Sequence, residues 1–147
     1  MSEKKAKDFF SEAEKLAIRD AIVAAEKNTS GEIRVHVENH CKNDAVKHAE
    51  KVFARLKMNQ TAERNGVLFY LAVLDRTFVI YGDAGINEKV PADFWDSIRD
   101  QMLPLFKAQQ FTQGLCTGIR LAGEKLEEHF PHQEDDKDEL SNEVSFS

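Results

Sequence analysis

The stretch ERNGVLFYLAVLDRTFVIYGDAG, residues 63–85, decides the fold. Its opening quartet, Glu63-Arg64-Asn65-Gly66, leads into an unbroken apolar run over residues 67–73. That length and composition suit a strand covered on both faces. Leu74-Asp75-Arg76 then reads as a tight turn, and residues 77–81 return as a second β-rich segment. Together they predict an antiparallel hairpin. Gly82-Asp83-Ala84-Gly85 closes it, so the hairpin starts and finishes in glycine flanked by charged or amide side chains.

A third strand lies upstream, after Thr29-Ser30-Gly31-Glu32. There Ile33, Val35 and Val37 alternate with Arg34, His36 and Glu38, which predicts an outer strand with one covered face. Between it and the hairpin, residues 44–56 place Ala45, Ala49, Val52, Phe53 and Leu56 on one side of a helix. A helical crossover makes the first two strands parallel and right-handed in connection. The start of strand one, the start of strand two and the end of strand three then share one sheet edge. Glu32, Arg64, Asn65 and Asp83 stand there, flanked by Gly82 and Gly85. Asp93 and Trp95, one short loop beyond Asp83, are expected at the same edge, and His40, Asp75 and Arg76 at the opposite one. Open α/β sheets usually bind ligands beyond the carboxyl ends of their parallel strands, which favours the His40 edge. The glycine-flanked edge is preferred here because more polar groups converge on it.

The rest of the chain reads as helices. Ser11 and Glu14 have capping-box spacing, followed by Ile18, Ala21, Ile22 and Ala25 on one stripe. Turn-forming residues 28–31 end that helix. Another begins around Pro91, buries Phe94, Trp95, Ile98 and Met102, and is expected to break or kink at Pro104. The last starts near Thr112, carries Leu115, Ile119, Ala122, Leu126 and Phe130 at helical spacing, and stops at Pro131. The domain is thus drawn over residues 11–131, between a flexible N-terminus, 1–10, and a flexible acidic tail, 132–147, with little to bury.

Composition narrows the classes. With 147 residues, 41% hydrophobic and 31% charged, the chain supports one core-forming domain. A formal net charge of −6 argues against broad binding to nucleic-acid backbone. Two cysteines, Cys41 and Cys116, read as free thiols, with a single bridge between them as the alternative. No secretory signal is visible, and the longest apolar run is far too short to span a bilayer. The expectation is a cytoplasmic monomer without membrane insertion, with room for a protein partner.

These motifs together resemble the TPM domain family, which includes thylakoid-lumen proteins of photosystem repair and bacterial relatives. The matching segments are Gly31-Glu32-Ile33-Arg34-Val35, Arg64-Asn65-Gly66-Val67-Leu68, Asp75-Arg76 and Gly82-Asp83-Ala84-Gly85-Ile86. The pattern of Phe106, Phe111, Gly114-Leu115 and Gly118-Ile119 follows. The resemblance implies a three-layer α/β/α sandwich, a small mixed sheet of three to four strands flanked by four or more helices. It also implies an acid-phosphatase-like or calcium-binding activity at Glu32, Asn65, Asp75, Arg76 and Asp83.

Three functional readings follow. In the first, a binding or regulatory domain holds calcium or magnesium through Glu32 and Asp83, helped by the Asn65 amide, because hard cations take oxygen ligands from separate loops. Gly82, Gly85, Asp93 and Trp95 would complete that binding surface. In the second, a metal-assisted phosphatase uses Asp83 and Asp75 to activate water and Arg64 or Arg76 to clamp phosphate. The third is an interaction module without ligand. In the bland alternative Asp83 stabilises its own turn and Glu32 pairs with Arg64. His36 and His40 are not read as a metal pair, since four strand residues separate them by roughly 13 Å.

Overall fold

A computed structural model describes residues 4–41, 43–132 and 142–147. Six α-helices and four strands are formed among them: α1 Ala6–Phe9, α2 Glu12–Glu26, β1 Glu32–Glu38, α3 Ala45–Arg55, β2 Gly66–Ala72, β3 Thr77–Gly82, α4 Ala84–Asn87, α5 Phe94–Lys107, α6 Phe111–His129 and β4 Ser145–Phe146. A 3-10 turn, Met58–Gln60, precedes β2. The sheet order is β3-β2-β1-β4. β1 runs parallel to β2, and β2 antiparallel to β3, as the crossover and the tight turn require.

Two apolar clusters make the three layers. Ile33, Val35, Val37, Val67, Phe69 and Leu71 point to one side and pack against α1, α2, α5 and α6. Leu68, Tyr70 and Ala72 point to the other and meet Ala49, Val52 and Phe53 of α3, with Met58. β2 is buried at every position, which explains its unbroken apolar run. Ile18 and Ile22 of α2 are wholly buried, each contributing roughly 2 kcal/mol of transfer free energy.

The start of α2 follows its sequence signature. Ser11 Oγ accepts from the Glu14 amide at 3.1 Å, and Glu14 Oε1 accepts from the Ser11 amide at 2.9 Å. Glu14 also accepts from Thr112 Oγ1 at 2.8 Å, tying α2 to α6. The Ser11 amide, foremost, and Thr112 hold this carboxyl below its ordinary range. Ser11→Ala is expected to cost about 1 kcal/mol; an unchanged urea midpoint would contradict this account of the helix start.

Several expectations are corrected. β1 is interior, because β4 pairs along its far side at His36 and Val37. Both its faces are covered, and Glu32, His36 and Glu38 are buried with the apolar set. The segment after Pro131 does bury side chains: Val144 and Phe146 pack against the main core. Residues 133–141 of the expected acidic tail lie outside the described residues. Upstream of Ser11, Ala6 and Phe10 are buried, so the packed structure begins before residue 11. Between β3 and α5 the chain makes a further short helix, α4, and α5 begins at Phe94 rather than Pro91. Pro104 does not end α5, which runs on to Lys107. Both Pro104 and Asp100, whose carbonyl loses its donor, are exposed, so water can replace the missing bond. No helix among the described residues is long and apolar enough to cross a membrane.

Candidate functional site

Register brings the three glycine-flanked motifs to one rim. Glu32 is paired with Gly66 across β1 and β2, and Val67 with Gly82 across β2 and β3. Backbone hydrogen bonds then stitch the loops together: Glu32 N to Asn65 O at 3.2 Å, Asp83 N to Gly66 O at 3.0 Å, and Gly85 N to Arg64 O at 2.9 Å. Glu32, Asn65 and Asp83 are all buried.

Arg64 closes on Asp83 in a fork, Nε to Oδ2 and Nη2 to Oδ1, both at 2.7 Å. Bidentate guanidinium–carboxylate pairing is the stronger, directional form of ion pair. Asp83 Oδ1 also accepts from the Ala84 amide at 2.8 Å, so the same carboxylate caps α4. The Asp83 hydrogen bond raises the already high pKa of Arg64. Arg64 itself has φ 51°, a left-handed conformation uncommon for a side-chain-bearing residue. The fork therefore holds a strained loop residue in place.

Beside this pair lies a second polar group. Ser30 Oγ donates to Glu63 Oε2 at 2.6 Å, and Asn65 Nδ2 donates to Ser30 Oγ at 3.2 Å and, at 3.5 Å, to Glu63 Oε2. Glu63 is a member of the rim that the sequence reading passed over. Its position in Glu63-Arg64-Asn65-Gly66 was the available signal. From Ser30 to Glu32 the rim borders a groove of about 660 Å³ that runs along α2 to Asn142.

The other expected residues divide between the two ends of the sheet. Trp95 lies over Gly82, where an added Cβ would come within 2.2 Å of its ring. Its indole donates to Asn87 Oδ1 at 3.0 Å, and Asn87 in turn donates to the Gly82 carbonyl at 2.9 Å. Gly85 approaches the Glu63 carbonyl so closely that a Cβ would lie 2.1 Å from it. Asp93 is exposed at the head of α5 and makes no side-chain cap there. At the opposite end Asp75 accepts from His40 Nδ1 at 2.7 Å and from the Cys41 amide at 2.8 Å. These bonds, His40's first, lower its pKa. Arg76 occupies that turn at φ 52°. Asp75 and Arg76 are separated from Asp83 and Arg64 by the length of β2, roughly 20 Å. The four residues considered for catalysis therefore form two pairs, not one site.

A third cluster was not legible beforehand. Glu38 Oε1 accepts from Tyr70 Oη at 2.6 Å and from His48 Nε2 at 2.7 Å. Glu38 Oε2 accepts from Ser147 Oγ and, at 3.3 Å, from Arg55. Next to it, His36 meets Ser145 Oγ through Nδ1 at 2.6 Å and Ser147 Oγ through Nε2 at 2.8 Å. Burial pulls His36 down to about 4, against the attraction of Glu38. Burial pushes Glu38 up, but the bonds from Ser147, Tyr70 and His48 outweigh it and bring the carboxyl to about 2. Burial and then Glu38 push Tyr70 far above the ordinary phenol. His36 and Tyr70 are register partners on β1 and β2, a pairing that the folded structure alone shows.

Among the described residues no three His, Cys, Asp or Glu side chains gather as a metal-ligand set. Asp83 fits a cation poorly, since both its oxygens already face donors and a guanidinium stands beside it. Ser30, Glu63 and Asn65 fit better, offering a hydroxyl, a carboxylate and an amide that can turn its oxygen inward.

Comparison with known proteins adds the following. The TPM domain model matches residues 4–125. The NMR structure of the BA42 protein from the psychrophilic bacterium Bizionia argentinensis is 51% identical, covers 97% of this chain and 99% of its own, and superposes with a TM-score of 0.90. The N-terminal domain of a P. gingivalis protein shares the fold at 19% identity and TM-score 0.68, over 86% of this chain and 84% of its own. The N-terminal domain of the cg2496 protein from Corynebacterium glutamicum does so at 11% identity and TM-score 0.63, over 92% and 79%. No curated protein matches the chain.

Proposed function

This chain belongs to the TPM domain family, and from that premise we propose that it is a binding domain, not a hydrolase, which takes a divalent cation at the rim where β1 and β2 begin. The observation that carries the reading is the convergence of Ser30, Glu63 and Asn65 from two loops, beside buried Glu32. Calcium accepts irregular sets of hard oxygen ligands, neutral ones included, whereas magnesium demands closer to octahedral order. A set with so few carboxylates implies weak binding, on the order of 10⁻⁴–10⁻³ M. Arg64 and Asp83 act as positioning residues in this reading, holding the loop that carries Glu63 and Asn65.

The phosphatase reading has less support. Phosphoryl transfer needs a free cationic clamp and a nucleophile or activated water at one place. Arg64 is committed to Asp83, and the Asp75–Arg76 turn lies at the far end of the sheet.

Titrating calcium and magnesium into ¹⁵N-labelled protein tests the proposal. The expected result is saturable shifts at Ser30, Glu32, Glu63 and Asn65 with calcium, abolished in Glu63→Gln. Shifts centred on Asp75 or on residues 133–141, or none at millimolar calcium, would overturn it. Turnover of a generic phosphate ester, lost in both Glu63→Gln and Asp83→Asn, would return the chain to the hydrolases.

A further inference from the structure

The far edge of β1 is only partly used. β4 pairs with it at His36 and Val37 alone. At the Ile33 position the edge is closed by Glu26, whose Oε2 accepts the Ile33 amide at 2.7 Å. Between these points Arg34 and Val35 pair with β2 on their other side but have no strand partner on this edge among the described residues, where the Val35 carbonyl lies 3.3 Å from Ser145 Oγ. Arg34 also carries a buried Nε without a hydrogen-bond partner. A desolvated guanidinium nitrogen in that condition calls for an acceptor, and a carboxylate gives the strongest one.

The segment that does occupy the edge shows what the site reads. Side chains alternate across a strand. Val144 and Phe146 accordingly turn to the helical layer, where Lys15 Nζ sits 5.2 Å from the Phe146 ring centre. Ser145 and Ser147 turn to the α3 layer and meet His36. Donor counting fixes the arrangement there. Ser147 gives its only hydroxyl proton to Glu38, so neutral His36 must donate from Nε2 to Ser147 and accept at Nδ1 from Ser145. Two hydroxyls, two positions apart, complete this relay; alanine in either place would leave a buried polar atom unmatched. Ser147 N also donates to the Val37 carbonyl at 3.1 Å.

Continuing the same register one pair upstream from His36–Ser145, and then another, would set residue 143 opposite Arg34. In the folded chain Glu143 instead approaches Arg19, with Oε1 3.5 Å from Nη1. The resident segment therefore supplies the aromatic and both hydroxyls but leaves the Arg34 position unfilled.

We propose that the outer edge of β1 over residues 34–38 is a strand-docking site for a partner-protein segment reading acidic–apolar–Ser/Thr–aromatic–Ser/Thr, with residues 143–147 of this chain as the resident competitor. Such a segment adds to the sheet by main-chain pairing, while alternate side chains confer selectivity. Its carboxylate meets Arg34, its hydroxyls meet His36 and Glu38, and its aromatic lies under Lys15. The tethered resident competes at an effective concentration of roughly millimolar, so the partner's advantage is the extra Arg34 contact.

The test uses the full ¹⁵N-labelled chain carrying Phe146→Ala, which loosens the resident segment, and an acetylated peptide Glu-Val-Ser-Phe-Ser. Saturable shifts along Arg34, Val35, His36 and Glu38, and at His48, are expected. The Gln-Val-Ser-Phe-Ser peptide should bind about tenfold more weakly, and Arg34→Gln in the chain should erase that difference. Absence of β1 shifts at about ten times the effective concentration of the tether would overturn the proposal. Equal affinity for the two peptides would do the same. So would a concentration-dependent dimer of the unaltered chain with these shifts, because the occupant would then be a second copy. If Phe146→Ala does not fold, the unaltered chain is titrated against both peptides at about tenfold higher concentration, and the ratio of their affinities decides.

Discussion

Gly85→Ala is expected to destabilise the domain by about 3 kcal/mol, at the upper end of what overpacking costs. The glycine is not required for its backbone angles, since no glycine among the described residues has positive φ. It is required for proximity. A Cβ at this position would lie 2.1 Å from the Glu63 carbonyl oxygen and 2.7 Å from that of Arg64. Both obstacles are main-chain atoms of a loop already held at φ 51° by the Arg64–Asp83 fork, so neither can swing aside. Relief requires the two loops to part, which breaks the Gly85 N to Arg64 O bond and pulls on the fork. Gly31→Ala makes the useful contrast. Its Cβ would lie 2.9 and 3.0 Å from the two methyls of Leu126 and 3.2 Å from its Cγ, all atoms of one side chain with no main chain among them. That change should cost below about 1 kcal/mol. Urea unfolding of the two variants decides the matter: equal midpoints would mean that the rim is not the rigid junction described above. The calcium response at Ser30 and Asn65 should also weaken in Gly85→Ala and survive in Gly31→Ala.

The rim was legible because three independent signals agreed on it. The helical stripe of residues 44–56, the apolar run of β2 and the short turn after it set strand order and direction, and strand order alone brings Glu32, Asn65 and Asp83 together. The paired role of Arg64 was not legible, since nothing in Glu63-Arg64-Asn65-Gly66 says whether the guanidinium turns to Glu32 or to Asp83. β4 escaped notice for a different reason. It is two residues long, has no period to detect, and follows an acidic stretch that reads as solvated. Once β4 is missing, Arg34, His36 and Glu38 look like the wet face of an outer strand, because alternation cannot distinguish water from a buried polar network. What covers them arrives from His48 and Arg55 on α3, Tyr70 on β2 and the serines of β4. This is tertiary context overriding a local pattern. α4 was missed on similar grounds: four residues capped by Asp83 carry no helical repeat.

Acid should weaken this domain in two overlapping steps, both traceable to that buried network. His36 has a folded-state pKa of about 4, below its ordinary 6.5. Between those values the unfolded chain binds a proton that the folded one refuses, so stability rises with pH and is lost as pH falls from about 6.5 toward 4. Glu38, at about 2 against an ordinary 4.5, acts in the same direction over the lower window. Each step is worth on the order of 3 kcal/mol, a large share of the 5–15 kcal/mol typical of a domain. Glu38→Gln tests the assignment. A neutral amide keeps the shape but brings donors of its own toward Tyr70, His48 and Ser147. About 3 kcal/mol should be lost near neutral pH, as when one member of a buried charged set is removed. In that variant the step between pH 4.5 and 2 should vanish while the His36 step persists, because the imidazole stays buried and has lost the carboxylate that favoured its charged form. His36→Gln should give the reverse pattern. Both variants should also speed amide exchange at Ser147, whose N–H is held to Val37 only while β4 is docked. A wild-type stability profile that is flat from pH 7 to 4, or a Glu38→Gln chain as stable as the parent, would mean that the network ornaments the fold without holding β4 to it.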